Sequence, residues 1–207
     1  MLFICKVCIF IIMESMRELH SSFSRFQRVE NRLPNVLILT PIKYFIGGFR
    51  PVKGRVFQYL PRVEQQWYLA FSVKPTGTHS VWSNLLHLTV GGNHDNFGDR
   101  IPAVWFNRGK TSLHICSAVN TNKNYCWNSH NLPLNKYTKV EIRQTWNVDQ
   151  NKCRLIISLD NVVRHVVVNN HKKDFENVVF YASDPWHPAA KGVLKNLVFK
   201  NLPHGRF

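Results

Sequence analysis

The sequence predicts an all-β fold of two packed antiparallel sheets, on three observations. From about Val36 onward it runs in short apolar or alternating stretches, these are separated by Gly, Pro, Asn and Asp, and no long 3.6-residue period, internal repeat or low-complexity tract interrupts them. A length of 207 residues fits one sandwich with an N-terminal extension better than two separate cores. The expected division is an extension over residues 1–35 and a sandwich over residues 36–207.

Taken in order, the candidate strands are Val36–Thr40, Gly54–Leu60, Trp67–Val73, Leu85–Val90, Ala103–Phe106, Ser112–Val119, Tyr125–Asn128, Tyr137–Trp146, Arg154–Leu159, Val162–Val168, Asn177–Ala182 and Val193–Phe199. In the third, Trp67, Leu69, Phe71 and Val73 fall on one face. In the eighth, Val140, Ile142 and Trp146 do. Side chains that alternate this way belong to half-buried strands, so these positions are expected in the core. Asp160-Asn161 lies between two β-branched runs and suits a hairpin turn, because both residues tolerate positive φ. A two-residue loop would put Arg164 on the face of Leu155 and Ile157; a three-residue loop would put His165 there.

The N-terminal stretch Leu2–Met13 is apolar except for Lys6 and, at twelve residues, falls short of the roughly 20 needed to span a bilayer as a helix. No membrane span is expected. As a secretory signal it lacks a basic start and a small-x-small cleavage site before Glu14 and Arg17, so a cleaved signal and an ordinary apolar start both stay open. Residues 14–35 are polar and basic, broken by Pro34, and read as a loose extension or short helix. No Asn-x-Ser/Thr glycosylation site occurs.

Lys and Arg outnumber Asp and Glu by 27 to 12, a formal charge of +15 that favours polyanions or anionic surfaces. The excess is spread along the chain, and the longest basic cluster is Lys172-Lys173. An arginine-rich arm is therefore missing and a nucleic-acid partner is not expected. Scattered basic groups serve solubility, or form a basic face for sulfated or sialylated glycan.

Of the five cysteines, Cys5 and Cys8 have C-x-x-C spacing but stand in an apolar segment without a second pair or a His pair, which argues against zinc. Cys116 and Cys126 flank the turn-rich stretch Asn120–Asn124. A hairpin there would face them toward each other, giving either a disulfide in an oxidising compartment or two buried thiols. Ten histidines are scattered without metal-ligand spacing, and no G-x-S-x-G or phosphate-binding loop is present.

The order of elements over roughly Lys53–Leu202 resembles laminin G-like modules of the concanavalin A-like lectin/glucanase superfamily. The segments that carry it are Tyr137-Thr138-Lys139-Val140-Glu141-Ile142, Leu155–Leu159 with Asp160-Asn161, Val178–Tyr181, and Gly192-Val193-Leu194-Lys195-Asn196-Leu197. Leu88–Asn93 with Gly98–Pro102, and Tyr181-Ala182-Ser183-Asp184-Pro185-Trp186, also resemble a signature of uncharacterised marine-invertebrate modules. The resemblance implies a jelly-roll sandwich that acts outside the cell by binding glycan or an extracellular protein, or as a structural matrix component.

Hydrolases of that superfamily use two carboxylates about the scissile bond, usually as Glu-x-Asp-x-x-Glu. This spacing does not occur here; the nearest pair is Asp174 and Glu176, beside Lys172 and Lys173. The chain is therefore expected not to be an enzyme. The loop Gly91–Arg100 gathers Asn93, Asp95, Asn96 and Asp99, oxygen donors of the kind calcium takes, and laminin G-like modules hold calcium at one rim, with Asn93, Asp95 and Asp99 as the expected ligands. Asn, Asp and Gly are also what any turn uses, and Asp99 can simply pair with Arg100. Arg100, Trp186 and His187 are the expected ligand-binding residues. Trp186 lies between Pro185 and Pro188, where an indole can stack on a sugar or pack on the sandwich end.

Overall fold

The two-residue alternation of the sequence is realised as twelve β-strands: β1 (Lys43–Phe45), β2 (Val56–Val63), β3 (Trp67–Pro75), β4 (Ser83–Thr89), β5 (Ala103–Phe106), β6 (Ser112–Val119), β7 (Asn122–Asn131), β8 (Thr138–Asn147), β9 (Lys152–Leu159), β10 (Val162–Val168), β11 (Phe175–Tyr181) and β12 (Gly192–Asn201). The structure is a computed structural model that describes residues 43–45, 47–147 and 151–202. The chain divides into two units, Met1–Ile38 and Leu39–Phe207, and all described residues belong to the second. The predicted strand Val36–Thr40, the apolar Leu2–Met13 stretch and the Cys5/Cys8 pair lie outside the described residues. The other eleven predicted strands correspond to β2–β12, with ends moved by a few residues. β1 was not predicted, since three residues cannot display a period.

Two six-stranded sheets form, ordered β1-β12-β3-β8-β9-β10 (sheet 1) and β2-β11-β4-β5-β6-β7 (sheet 2), with every neighbouring pair antiparallel. β4 to β7 run as a meander in one sheet and β8 to β10 in the other, while the chain crosses between sheets from β1 to β2, β2 to β3, β3 to β4, β7 to β8, β10 to β11 and β11 to β12. This is a two-sheet antiparallel jelly-roll sandwich, as the sequence predicts.

The inner faces meet in one apolar core. Trp67, Leu69, Phe71 and Val73 of β3 are all buried, as are Val140 and Ile142 of β8. From sheet 2, Leu86, Leu88, Val104, Phe106, Leu113, Ile115, Val178 and Phe180 close the layer. Phe180 of sheet 2 meets Phe199 of sheet 1 edge-on at 6.2 Å, and Phe199 stacks near Trp67 at 6.4 Å, so aromatic contacts tie the sheets together. Fully burying a side chain of this size contributes about 1.5–3 kcal/mol. Trp146 differs from its expected neighbours Val140 and Ile142: it is half-buried at the strand end. The residue between, Gln144, is buried and is satisfied by the Gln65 carbonyl (2.6 Å) and by Asn169 (2.8 Å).

The β9–β10 hairpin resolves the open register in an unexpected way. The loop has two residues, Val162 opposing Leu159, and both Asp160 (φ 50°) and Asn161 (φ 64°) are left-handed. Yet His165, not Arg164, opposes Ile157, because the register shifts between Val163 and His165 and makes Arg164 an extra residue. His165 consequently enters the inner face. It stacks on Tyr125 and Trp127, each 5.8 Å away, and accepts or donates a 2.9 Å hydrogen bond with the Tyr125 hydroxyl.

The turn gives the first prediction. Asn161→Val places a β-branched residue in the left-handed region and should cost about 1–2 kcal/mol, whereas Asn161→Gly should be neutral or stabilising; urea denaturation of both variants measures the difference.

Candidate functional site

The loop between β4 and β5 is organised by its own side chains. Gly92 is needed because a Cβ there would lie 2.5 Å from the Asp99 carboxylate. That carboxylate is buried and accepts from the Asp95 and Asn96 amides, both at 2.8 Å. Arg100 Nε donates to the Asn93 carbonyl (2.9 Å) and its two terminal nitrogens to Asn93 Oδ1 (3.3 Å) and Asn124 Oδ1 (2.5 Å). Asn93 and Asp99, two of the residues that suggested calcium, turn side-chain oxygens toward protein donors. Asp95 points outward, its side chain 81% exposed.

Arg100 lies 4.4 Å above the buried Trp105 ring. Burial lowers its pKa to about 10, partly offset by the charges of Asp184 and Asp99, so it stays protonated at neutral pH. His187 approaches the same indole edge-on at 5.5 Å, and the Trp105 N–H lies 3.2 Å from His187 Nδ1. Trp186, 39% exposed, packs near His87 (5.3 Å) and Tyr181 (6.2 Å). The structure thus brings Arg100 and His187 together on the Trp105 indole on the outer side of sheet 2, with Trp186 joined to it only through the His87 ring.

What fixes them is a residue the sequence did not single out. Asp184 has no exposure; its carboxylate accepts from the Trp186 and His187 amides (3.1 and 2.8 Å) and meets His187 Nδ1 and His87 Nδ1, both at 2.9 Å. His87, equally buried, places its other nitrogen 2.6 Å from the Asp99 carbonyl. Both His87 nitrogens thus face oxygen atoms. Burial by itself would raise the Asp184 pKa. Hydrogen bonds from His187 and His87, with their positive charge, outweigh that and hold it well below the usual carboxylate range. Asn84 completes the clamp: its side chain accepts from the Asp184 amide (2.8 Å), and its backbone bonds Pro188 and Ala190 (2.9 Å each).

The outer face of sheet 1 is different in kind. Register puts Lys200, Tyr68 and Arg143 in one row across β12, β3 and β8, and Lys195, Ser72 and Lys139 in another. Lys74 and Lys195 lie over the Tyr137 ring at 5.2 and 4.0 Å, and Lys200 over Tyr68 at 5.4 Å. The one acid among them, Glu141, accepts from the Tyr68 hydroxyl (2.5 Å) and pairs with Lys139 (3.0 Å). Burial would raise its pKa, but these two hydrogen bonds and the charges of Lys139 and Arg143 lower it. Lys74, Arg143, Lys195 and Lys200 have no carboxylate within ion-pair distance among the described residues. The signal was present as Lys139-x-Glu141-x-Arg143, a basic outer period hidden beneath the apolar one.

Two open clefts lie among the described residues. One of about 500 Å³ lies between the edge strands β7 and β10, lined by Trp127, His130, Leu132, Leu159, Asp160 and Arg164 among others; Asp160 there accepts from the Lys139 amide at 2.8 Å. A second, of about 560 Å³, lies at the rim among Phe97, Asn120, Thr121, Asn170, His171, Lys172 and Lys173. Asp174 and Glu176, the nearest approach to a hydrolase pair, both face Arg62, and Asp174 also accepts from the Gln65 amide at 2.9 Å.

No protein-family model matches the sequence, and no curated protein does. Among solved structures, the chain is similar to a native heptameric SAP-like pentraxin from Limulus polyphemus, with 16% identity, 81% of this chain and 80% of that chain covered, and a TM-score of 0.48. It is also similar to domains LG4-5 of the mouse laminin α1 chain (12% identity, 83% and 48%, TM-score 0.48) and to the receptor binding domain of botulinum neurotoxin type G (11%, 81% and 43%, TM-score 0.46). The chain spans less than half of the latter two. A Trypanosoma rangeli sialidase and polysaccharide lyases are similar as well. At these identities and TM-scores the likenesses give this chain neither a family nor a residue role.

The clamp gives the second prediction. Asp184→Asn should cost about 1–3 kcal/mol at neutral pH, since it leaves buried donors of His87 and of the 186–187 backbone short of an acceptor. The folded Asp184 pKa lies below the unfolded value of about 3.9, so its contribution is complete above that pH and is lost as pH falls through the folded pKa. Urea unfolding at pH 7 and pH 3 should therefore show the gap between wild type and Asp184→Asn shrinking at the lower pH.

Proposed function

We propose that this protein is a non-catalytic recognition module that acts outside the cell and binds an acidic glycan on the outer face of sheet 1. The reading rests on one observation: that face carries Lys74, Lys139, Arg143, Lys195 and Lys200 around Tyr68 and Tyr137, with Glu141 as its single acid, already paired. Neighbouring strands are about 4.8 Å apart and same-face residues about 6.7 Å apart along a strand. Such a lattice of charges suits the repeating sulfates or carboxylates of an acidic polysaccharide, and the two tyrosines offer surface for sugar rings. The Cys116–Cys126 disulfide supports an oxidising compartment.

A second reading, docking of an extracellular protein in a matrix role, draws on the same face if the partner is acidic. The Asn93–Asp99 loop, with or without calcium, and the Arg100, Trp186 and His187 cluster are the rival sites.

The test is an array of sulfated, sialylated and neutral glycans, probed at low and near-physiological salt, with calcium and with chelator. Sulfated or sialylated glycans should bind, more weakly as salt rises because exposed charges are screened within about 8 Å at 0.15 M. Arg143→Glu/Lys195→Glu/Lys200→Glu should weaken binding at least about tenfold, corresponding to about 1.4 kcal/mol, while Lys172→Glu/Lys173→Glu should not. Loss of binding in chelator would move the site to the Asn93–Asp99 loop. Silence toward every glycan, alongside capture of an acidic protein, would favour the docking role.

A further inference from the structure

A second site emerges on the far sheet, independent of the proposed glycan face. Cys116 of β6 and Cys126 of β7 are directly opposed partners across the hairpin and form a disulfide. His114 lies two residues before Cys116, hence on the same outer face, with its Nε2 3.1 Å from Cys116 Sγ. The His114 nitrogen and the two sulfurs all lie within 4.8 Å of one another, the one such group of His, Cys, Asp and Glu among the described residues.

The histidine is oriented for ligation. Its Nδ1 lies 2.8 Å from Asn128 Oδ1, an oxygen that can only accept. The proton therefore sits on Nδ1, which leaves a lone pair on Nε2 aimed at the sulfurs, and a ligand whose second nitrogen is held this way is the usual arrangement of a metal-bound imidazole. The ring is also braced by Trp82, 4.4 Å away. Burial, together with the nearby Arg100 charge, lowers the His114 pKa and keeps the ring neutral, although the Asn128 contact opposes this. His114 and Cys126 are half-buried, so the corner is open to solvent on one side.

We propose that reduction of the Cys116–Cys126 bond converts this corner of sheet 2 into a zinc site, held by His114 Nε2 and the two thiolates, with the fourth position open to solvent. Zinc bonds of about 2.3 Å to sulfur and 2.0–2.1 Å to nitrogen set tetrahedral ligand atoms roughly 3.4–3.8 Å apart. Within the hairpin this needs only that the two sulfurs separate by side-chain rotation while the strands stay paired. A tertiary phosphine and water reduce the disulfide to two thiols as the phosphine becomes its oxide. Zinc then displaces both thiol protons, so the ion binds with release of two protons and adds no net charge to the site. A small disulfide oxidant, itself reduced to two thiols by exchange as the Cys116–Cys126 bond re-forms, reverses the change: only His114 remains as a ligand, and the ion is released.

The test uses the full chain with Cys5→Ser and Cys8→Ser, so that those thiols contribute nothing. Cys153 is retained; it is buried and burial pushes its thiol pKa up to about 11. Zinc is titrated by calorimetry, and cadmium by its thiolate charge-transfer absorbance, before and after reduction with a phosphine, with circular dichroism reporting the fold. One ion per chain is expected after reduction and none before. Cys116→Ser/Cys126→Ser should abolish binding with Cys153 intact, and His114→Gln and Asn128→Ala should each weaken it about tenfold or more. The proposal fails if the oxidised protein binds equally, if the reduced protein unfolds or stays folded without binding, if the double serine variant still binds, or if His114→Gln has no effect.

Discussion

A carboxylate with no exposure stays charged only if its surroundings supply opposite charge and hydrogen bonds, and Asp184 obtains both from His87, His187 and two backbone amides. This arrangement determines much else in the molecule. Every strand of a two-sheet sandwich has one face in the core, which leaves two outer faces to be dealt with. On sheet 2 the outer face carries His87, Ala103, Trp105 and Cys116, all fully or nearly fully buried. Residues 183–190 lie along β4, fastened by Asp184 to His87 and by Asn84 to Pro188 and Ala190, and Trp82 and Cys126 pack against Ala103, Trp105 and Cys116.

The same clamp reaches the β4–β5 loop. His87 joins Asp184 on one side to the Asp99 carbonyl on the other, and Asp99 in turn caps the turn that presents Arg100 to Trp105. Residues far apart in the chain are thereby set in one fixed network of rings and charges. Such a network suits a rigid frame better than a mobile binding surface, because most of its polar atoms already have partners within the protein. Sheet 1 contrasts with it: its outer face keeps lysines and tyrosines that are half-buried or exposed, and it has no loop clamp of this kind among the described residues.

How far the sequence reveals this depends on the range of the interaction. Strands were legible because alternation is local: Trp67, Leu69, Phe71 and Val73 announce their face without reference to anything else. The Asp160-Asn161 turn was legible for the same reason, since positive φ is a property of the residues themselves. The bulge at Arg164 was not, because it depends on what His165 gains between Tyr125 and Trp127, forty residues away in the chain. The role of Asp184 was hidden likewise. The stretch Ser183-Asp184-Pro185-Trp186 invited attention to its tryptophan, whereas its partner His87 sits in a Leu-His-Leu run that reads as ordinary strand. Asn93, Asp95 and Asp99 gave the opposite difficulty: the same oxygens suit calcium and turns, and the contacts of the arginine next to them with Trp105 and Asn124 lie outside any local pattern. Cys116 and Cys126 stood between, since the turn predicted their meeting but not the bond.

The charge of the molecule acquires meaning only through this division of faces. A total of +15 on a 207-residue chain is compatible with mere solubility, and isolated surface charges interact weakly with anything beyond a Debye length of about 8 Å. Lysines and an arginine in register across three adjacent strands are a different object, because their fields add over a distance shorter than that length. Long-range attraction of this type accelerates encounter and tolerates many anions, so it confers affinity more than identity. Under the proposed glycan reading, discrimination among acidic ligands would fall to the neutral groups beside those rows, Tyr68, Ser72 and Tyr137, whose hydroxyls and rings would meet the sugar between the charges. Glu141 contributes to this in a negative sense: held ionised by Tyr68 and Lys139, it interrupts the basic rows at one point, and a ligand must place an uncharged or donor group there.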